Sequence, residues 1–186
     1  MVQHEGFARR RADELEPVLQ RGIFAGFGAS MIMGFFAMVA SGTYGGRGLF
    51  TPAYHVAFTI DPNTLVQSLQ KAEAGDRFFF AQESFIFGTV AHTMVGAILG
   101  ALFALLAMKF QFREKRALVG GLAYGLAVMV LMSVLVLPVV AKMSGAGQPI
   151  SQMGGDIGWL TWVVLHAIFG LALGGWVYVR PQDVEG

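Results

Sequence analysis

The sequence predicts an all-α integral membrane protein, a single domain built as a bundle of four transmembrane helices. Of its 186 residues, 55% are hydrophobic and only 13% are charged, and the mean hydropathy is +0.59. A soluble domain typically carries about 25% charged residues, so this chain lacks the polar groups needed to cover a globular surface. The charged residues leave four uncharged stretches of 23 to 25 residues between Arg21 and Arg180.

Each uncharged stretch is long enough to cross a membrane, because about 20 apolar residues in a helix span a hydrocarbon core of about 30 Å. The polar faces that buried helices of a soluble protein would show are almost missing. The tryptophans near the ends of the last stretch fit the aromatic belts of membrane proteins, namely Trp159, Trp162 and Trp176. We predict TM1 at residues 22–43, TM2 at 84–108, TM3 at 117–141 and TM4 at 157–179.

The basic residues predict that both termini lie in the cytoplasm. Nine Lys and Arg residues belong to the N-terminus (1–21), the TM2–TM3 loop and the C-terminus, whereas four belong to the other two loops. Because positive residues stay on the cytoplasmic side, the loops 44–83 and 142–156 are expected to face outward. TM1 would itself direct insertion, since no apolar region precedes a cleavage site. The expected location is a prokaryotic inner membrane.

The first outer loop is predicted to contain an amphipathic helix. Asp61 suits the N-cap and Pro62 the first helical position, and Gly75 ends the helix that they begin. We expect this helix over residues 62–74, either on the outer membrane surface or capping the bundle, with Leu65, Val66 and Leu69 on one face.

The four spans suggest a duplicated two-helix hairpin. TM2 and TM4 share the pattern H-x3-G-x2-L-G at a constant offset of 74 residues. TM1 and TM3 align more weakly, through Gly22 with Gly121 and Gly26 with Gly125. Two such halves would be related by a pseudo-twofold axis along the membrane normal.

The shared histidines, His92 and His166, are the candidate functional residues. No other Asp, Glu, Lys, Arg or His lies inside the spans. The two histidines lie nine and ten residues from Glu83 and Asp156, hence at nearly equal depth in the outer half of the membrane. TM2 and TM4 are diagonal neighbours in an up-down-up-down bundle, with their axes roughly 11–14 Å apart. Both imidazoles would then reach one iron. Glycines beside the histidines would open a groove for a macrocycle: Gly96, Gly100, Gly170 and Gly174.

This arrangement resembles the small membrane cytochrome b subunits, in which histidines on separate helices of a four-helix bundle hold a b-type haem. The resemblance implies a b-type haem with His92 and His166 as axial ligands.

Three other interpretations of the histidine pair stay open. The G-x3-G spacing is also typical of tightly packed transmembrane helices, so each His could simply bond a neighbouring carbonyl and no cofactor would be needed. A metal such as copper is the second, with His55 from the outer loop as third ligand to His92 and His166. A substrate, quinone or proton path past the histidines is the third.

The composition excludes several function classes. Without cysteine there are no disulfides, thiolate metal sites or cysteine nucleophiles, and a net charge of +1 gives no basis for nucleic-acid binding. No catalytic motif is found, so an independent enzyme is not predicted.

Three functional hypotheses follow. The first is a small redox-associated membrane subunit that passes electrons between an outer-face partner and the quinone pool or a neighbouring subunit. The second is a non-catalytic accessory subunit without a cofactor, and the third is a small transporter or channel with a histidine-lined path. The expected partners are the lipid bilayer and either other membrane subunits or further copies of the chain.

Overall fold

The computed structural model describes residues 2–113, 115–145, 147, 151 and 153–177, and these residues form helices and no strands. In chain order the elements are α1 (Val2–Gly42), α2 (Thr51–Ala57), α3 (Pro62–Glu73), α4 (Gln82–Lys109), α5 (Lys115–Leu131), a π-helical turn (Met132–Val136), α6 (Leu137–Ser144), α7 (Met153–Ile157) and α8 (Trp159–Val177).

Four helical segments of the described chain are long and apolar enough to cross a membrane, which confirms the all-helical class and the four candidate spans. They are Leu15–Gly42, Gln82–Lys109, Lys115–Ser144 and Trp159–Val177. The helix of TM1 begins well before the predicted residue 22, since α1 starts at Val2 and runs through Pro17 without a break. Residues 178–179, predicted to end TM4, and the C-terminal Arg180 lie outside the described residues.

The third span changes its helical register near Pro138. Proline lacks an N–H and its ring clashes with the carbonyl four residues earlier. The chain accommodates this with the π-helical turn, and the N–H of Leu137 bonds to the carbonyl of Met132, five residues back. The turn buries no side chain.

The helices α1 and α4 form one close pair, in contact through glycines. A Cβ added to Gly26 would lie 2.7 Å from the Cα of Gly100 and still nearer the carbonyl oxygen of Gly96. A Cβ at Gly22 would lie 2.7 Å from the carbonyl oxygen of Gly100. Only glycine at these positions lets the two backbones approach so closely.

The helices α5 and α8 form a second close pair with the same kind of contact. A Cβ added to Gly121 would lie 2.8 Å from the Cα of Gly174 and nearer still to the carbonyl oxygen of Gly170. Gly121 therefore holds the place in its pair that Gly26 holds in the first. The predicted alignment of Gly26 with Gly125 is displaced from these contacts by one helical turn.

The two pairs join asymmetrically, which differs from the twofold arrangement expected from the sequence. The helices α1 and α8 pack along much of their length, whereas α4 and α5 meet only slightly. At that narrow contact the Tyr124 hydroxyl donates a 2.8 Å hydrogen bond to the carbonyl of Leu99. The main apolar core instead joins α1, α4 and α8, and it includes Ala29, Met33, Phe103, Leu165, Phe169 and Leu173.

The short helices α2 and α3 cover one end of the bundle, called here the capped end. The helix α2 lies directly on α4, because a Cβ added to Gly88 would come within 2.8 Å of the carbonyl carbon of Ala53. The Tyr54 hydroxyl anchors α2 by donating to the carbonyl of Phe79 (3.2 Å) and accepting from the N–H of Ala81 (2.8 Å).

The helix α3 occupies the segment expected for a loop helix. The Asp61 carboxylate caps it by accepting from the N–H of Thr64, and Gly75 follows its end with a φ of +93°. Of the predicted face, Leu65 is buried but Val66 is 47% exposed.

Candidate functional site

A cavity of about 260 Å³ lies at the capped end, beneath α2 and between α1, α4 and the beginning of α8. Most of its wall is apolar and flexible or aromatic, formed among others by Met33, Phe35, Met38, Phe85, Trp162 and Leu165. Such a wall suits an apolar ligand, and the few polar groups on it would set the ligand's orientation.

His92 is one of those polar groups. Its Nε2 lies 3.1 Å from the backbone carbonyl oxygen of Ser30 on α1. A carbonyl oxygen can only accept, so Nε2 carries the hydrogen of this bond. The imidazole therefore links α4 to α1 and is held in one orientation on the cavity wall.

His55 reaches the same cavity from α2. It is buried, and its Nδ1 lies 3.2 Å from the carbonyl oxygen of Thr51, one turn earlier in the helix. Arg47, in the segment before α2, also lines the cavity. The structure thus brings together His55 and His92, and it adds the cationic side chain of Arg47 to the same wall.

His166 lies behind the cavity wall. Its Nδ1 donates a 2.9 Å hydrogen bond to the carbonyl of Trp162, and the two rings pack edge to face with centroids 4.4 Å apart. The Trp162 indole N–H in turn donates to the Ser133 hydroxyl at 2.9 Å. Trp162 lines the cavity, whereas His166 does not.

The two span histidines present different ring nitrogens. Because His92 bonds a carbonyl through Nε2 and His166 through Nδ1, the nitrogens left for a ligand are Nδ1 and Nε2 respectively.

The predicted three-histidine metal site is not assembled. Among the described residues, no three His, Cys, Asp or Glu side chains come together in a way that could hold a metal ion. His55 and His92 line the cavity, but His166 is separated from it by the Trp162 ring.

The glycines predicted to open a groove for a haem lie against neighbouring helices in this structure. Gly96 and Gly100 face α1, and Gly170 and Gly174 face α5. Helix backbone fills the space beside all four, so the room for a ligand lies at the cavity and not along the glycine faces.

Sequence reasoning missed two positions that shape the site. Trp162 was assigned to a membrane-surface belt, yet it is 8% exposed, whereas Trp159 and Trp176 are 60% and 56% exposed. Its position four residues before His166 was the available signal, because side chains at that spacing meet on one helix face. Ser30 contributes a backbone carbonyl, which residue type does not reveal.

No known protein family, characterised protein or solved structure matches this chain. The functional conclusion therefore rests on the chemistry of the cavity.

Proposed function

We propose that this protein is a membrane subunit that binds a small apolar ring molecule of the quinone or quinol type in the capped-end cavity. The observation that carries the proposal is a preformed apolar cavity of about 260 Å³ with the ordered imidazole of His92 on its wall. Binding would place an electron carrier of the membrane at a fixed site, which suits a redox-associated subunit without requiring the chain to be an enzyme.

The size of the cavity supports a single ring. An apolar cavity of about 150 Å³ binds one benzene molecule, so a cavity of about 260 Å³ has room for one substituted six-membered ring. A longer apolar tail would have to extend out of the cavity into lipid.

The position of the cavity supports entry from the hydrocarbon phase. Met31 and Phe35 line it and are 46% and 59% exposed on the side of α1 that faces away from the bundle. A ligand dissolved in the bilayer would reach the cavity past these two flexible or rotatable side chains without crossing water.

The proposal also assigns an orientation and an origin to the fold. In this orientation the capped end, with α3, faces outward and both termini are cytoplasmic. Its support is that the termini and the α4–α5 loop carry nine basic residues, whereas the other two loops carry four. The two helix pairs descend from one duplicated hairpin, supported by the equivalent contacts of Gly26 and Gly121.

A b-type haem between His92 and His166 is the second candidate. Its support is that each imidazole gives one N–H to a backbone carbonyl and keeps the other nitrogen for a ligand, as ligating histidines do. The glycine faces are filled by helices, so a haem would require the pairs to separate. A reduced-minus-oxidised absorbance spectrum, with His92→Ala and His166→Ala alongside, decides between a b-type α-band and none.

Packing against other subunits is the third element of the proposal. In the most apolar part of the third span, Lys115–Ser144, 11% of the residues are buried inside the chain. The corresponding share in the other three spans is 33–44%. A neighbouring subunit or a second copy would pack on this exposed span, and the transporter interpretation remains a prediction beside it.

The cavity contains its own reporter for a binding test. Of the three tryptophans only Trp162 lines the cavity. In a Trp159→Phe/Trp176→Phe double variant, all tryptophan fluorescence therefore comes from the cavity wall. A short-tailed benzoquinone, which quenches tryptophan on contact, is titrated into the purified full-length protein. We expect saturable quenching.

A pair of glycine variants shows whether quenching comes from the cavity. Gly34 lines it, and an added Cβ would lie 3.6 Å from His92, which is ordinary contact. Gly34→Leu should fill the cavity and abolish saturation. Gly175→Leu, at an exposed glycine of α8 outside the cavity, should behave like the parent protein. Linear quenching that is equal in all three proteins would disprove the proposal.

A further inference from the structure

We infer that the cavity selects ligands that donate a hydroxyl hydrogen bond to His92, so that it holds a quinol or phenol in preference to the corresponding quinone. This inference rests on the proposed function and names the form of the ligand. It comes from the hydrogen-bond arrangement around one imidazole.

The first step is the position of the imidazole hydrogen. The 3.1 Å contact between His92 Nε2 and the Ser30 carbonyl requires a hydrogen on Nε2. The Ser30 hydroxyl does not take part, because it donates to the carbonyl of Phe27 at 2.8 Å.

The second step is the state of the other nitrogen. A charged imidazole is costly inside an apolar span, so the ring is neutral and Nδ1 carries a lone pair that can only accept. No described residue donates to Nδ1 of His92, and no buried side-chain nitrogen or oxygen of the described chain lacks a hydrogen-bond partner. Nδ1 is therefore not sealed in the protein, and His92 lines the cavity.

The third step is the supply of donors on the rest of the wall. Ser30, Ser41 and Thr93 line the cavity, and the hydroxyl of each gives its hydrogen to a backbone carbonyl. Thr51 and Thr89 line it too, and because a threonine hydroxyl can donate or accept, neither favours one oxidation state of the ligand. Arg47 is the strong donor on this wall, and it already interacts with other groups of the chain.

The consequence is a difference between two oxidation states of one ligand. A quinol hydroxyl would donate to Nδ1, whereas a quinone carbonyl would bring its lone pairs against the lone pair of the imidazole. A net hydrogen bond in such surroundings changes affinity by about tenfold.

The test compares a phenol with its methyl ether, in which a methyl group replaces the hydroxyl hydrogen. In the protein that retains Trp162 alone, 4-heptylphenol and its methyl ether compete with the quenching benzoquinone. We expect the phenol to displace the quinone at about tenfold lower concentration than the ether. Comparing this ratio among protein variants cancels the different partitioning of the two compounds into detergent.

Two substitutions separate the roles of the two ring nitrogens. His92→Gln keeps an N–H near the position of Nε2, for the Ser30 carbonyl, and loses the acceptor at Nδ1. The preference for the phenol should then fall about tenfold from its value in the parent protein. His92→Asn keeps an acceptor near the position of Nδ1 and should retain the preference while losing the bond between α4 and α1. A purely structural role of His92 would leave the ratio unchanged in both variants.

The outcomes distinguish this inference from the proposed function. The phenol and the ether could displace the benzoquinone equally well, with both displacements absent in Gly34→Leu. That result would overturn the hydroxyl preference and leave the binding site intact. If the benzoquinone itself never quenched saturably, the proposed function would fail and the inference with it. An unchanged ratio in His92→Gln would show that another group makes the selection.

Discussion

Gly26 and Gly121 illustrate how single residues set the distance between helices in this protein. In each pair the glycine faces the backbone of the partner helix, so an added methyl group would meet atoms that cannot rotate away. Elsewhere in a helix, alanine is favoured over glycine by about 1 kcal/mol. At these positions the steric term is the larger one, because overpacking costs about 1–3 kcal/mol.

We therefore expect Gly26→Ala and Gly121→Ala each to lower the free energy of unfolding, by up to about 2 kcal/mol after the gain in helix propensity. Gly175→Ala is the matched control, because its added Cβ would lie 3.7 Å from the nearest atom, a methyl carbon of Leu118. It should be neutral or slightly stabilising. Reversible unfolding in mixed micelles measures all three, and a loss in Gly175→Ala equal to the others would refute the steric explanation.

Individual residues also show what the sequence does and does not reveal about the site. The predicted equal depth of His92 and His166 follows from spacing alone. The direction of each imidazole ring does not follow from spacing, since it depends on which carbonyl of α1 or α8 is nearest. The glycines beside the histidines were open to two interpretations, and the contacts of Gly100 with α1 favour helix packing.

At the scale of elements, α3 is joined to α4 by one carboxylate. Asp61 accepts hydrogen bonds from the Ser84 hydroxyl at 2.6 Å and from the hydroxyl and N–H of Thr64. These bonds, the one from Ser84 first, lower the pKa of Asp61 below its ordinary value of about 3.9. The charged carboxylate of Asp61 is thus stabilised in the folded protein relative to the unfolded chain.

A lowered pKa in the folded state fixes the direction of the pH effect. Asp61 contributes its stability above a pH of about 4, and this contribution is lost as pH falls through the lower, folded-state pKa. We expect the amides of α3 to exchange with solvent faster in acid.

Hydrogen exchange between pH 2.5 and 6, corrected for intrinsic rates, checks this prediction. Asp61→Asn should weaken the protection of α3 at pH 6 and remove its acid dependence. Ser84→Ala should move the acid loss to higher pH, since the largest cause of the shift is gone. Acid dependence that persists unchanged in Asp61→Asn would assign it to another group.

The elements were predictable to the extent that local sequence determines them. Asp61, Pro62 and Gly75 bound α3 as expected, because capping depends on residues within a few positions. The seven-residue α2 could not be resolved from a short uncharged segment, since its seat on α4 depends on the absence of a side chain at Gly88.

For the whole molecule, the asymmetry between the helix pairs creates the cavity. The spans follow from composition alone, but symmetry of sequence does not ensure symmetry of packing. The first pair carries α2 and α3 in its connecting loop, and α2 lies on α4 at the capped end. The cavity forms beneath α2, where side chains of α1, α4 and α8 leave the space between them unfilled.

The orientation of the molecule decides which leaflet supplies the ligand, and the absence of cysteine makes it directly measurable. Asn63 on α3 and Arg113 between α4 and α5 are exposed at opposite ends of the bundle. In intact cells a membrane-impermeant maleimide should label Asn63→Cys, and should label Arg113→Cys only after the membrane is permeabilised. Eight of the nine basic residues that support this orientation remain in Arg113→Cys. The reverse pattern would place the cavity in the inner leaflet, where a cytoplasmic partner and not an outer one would meet the bound ligand.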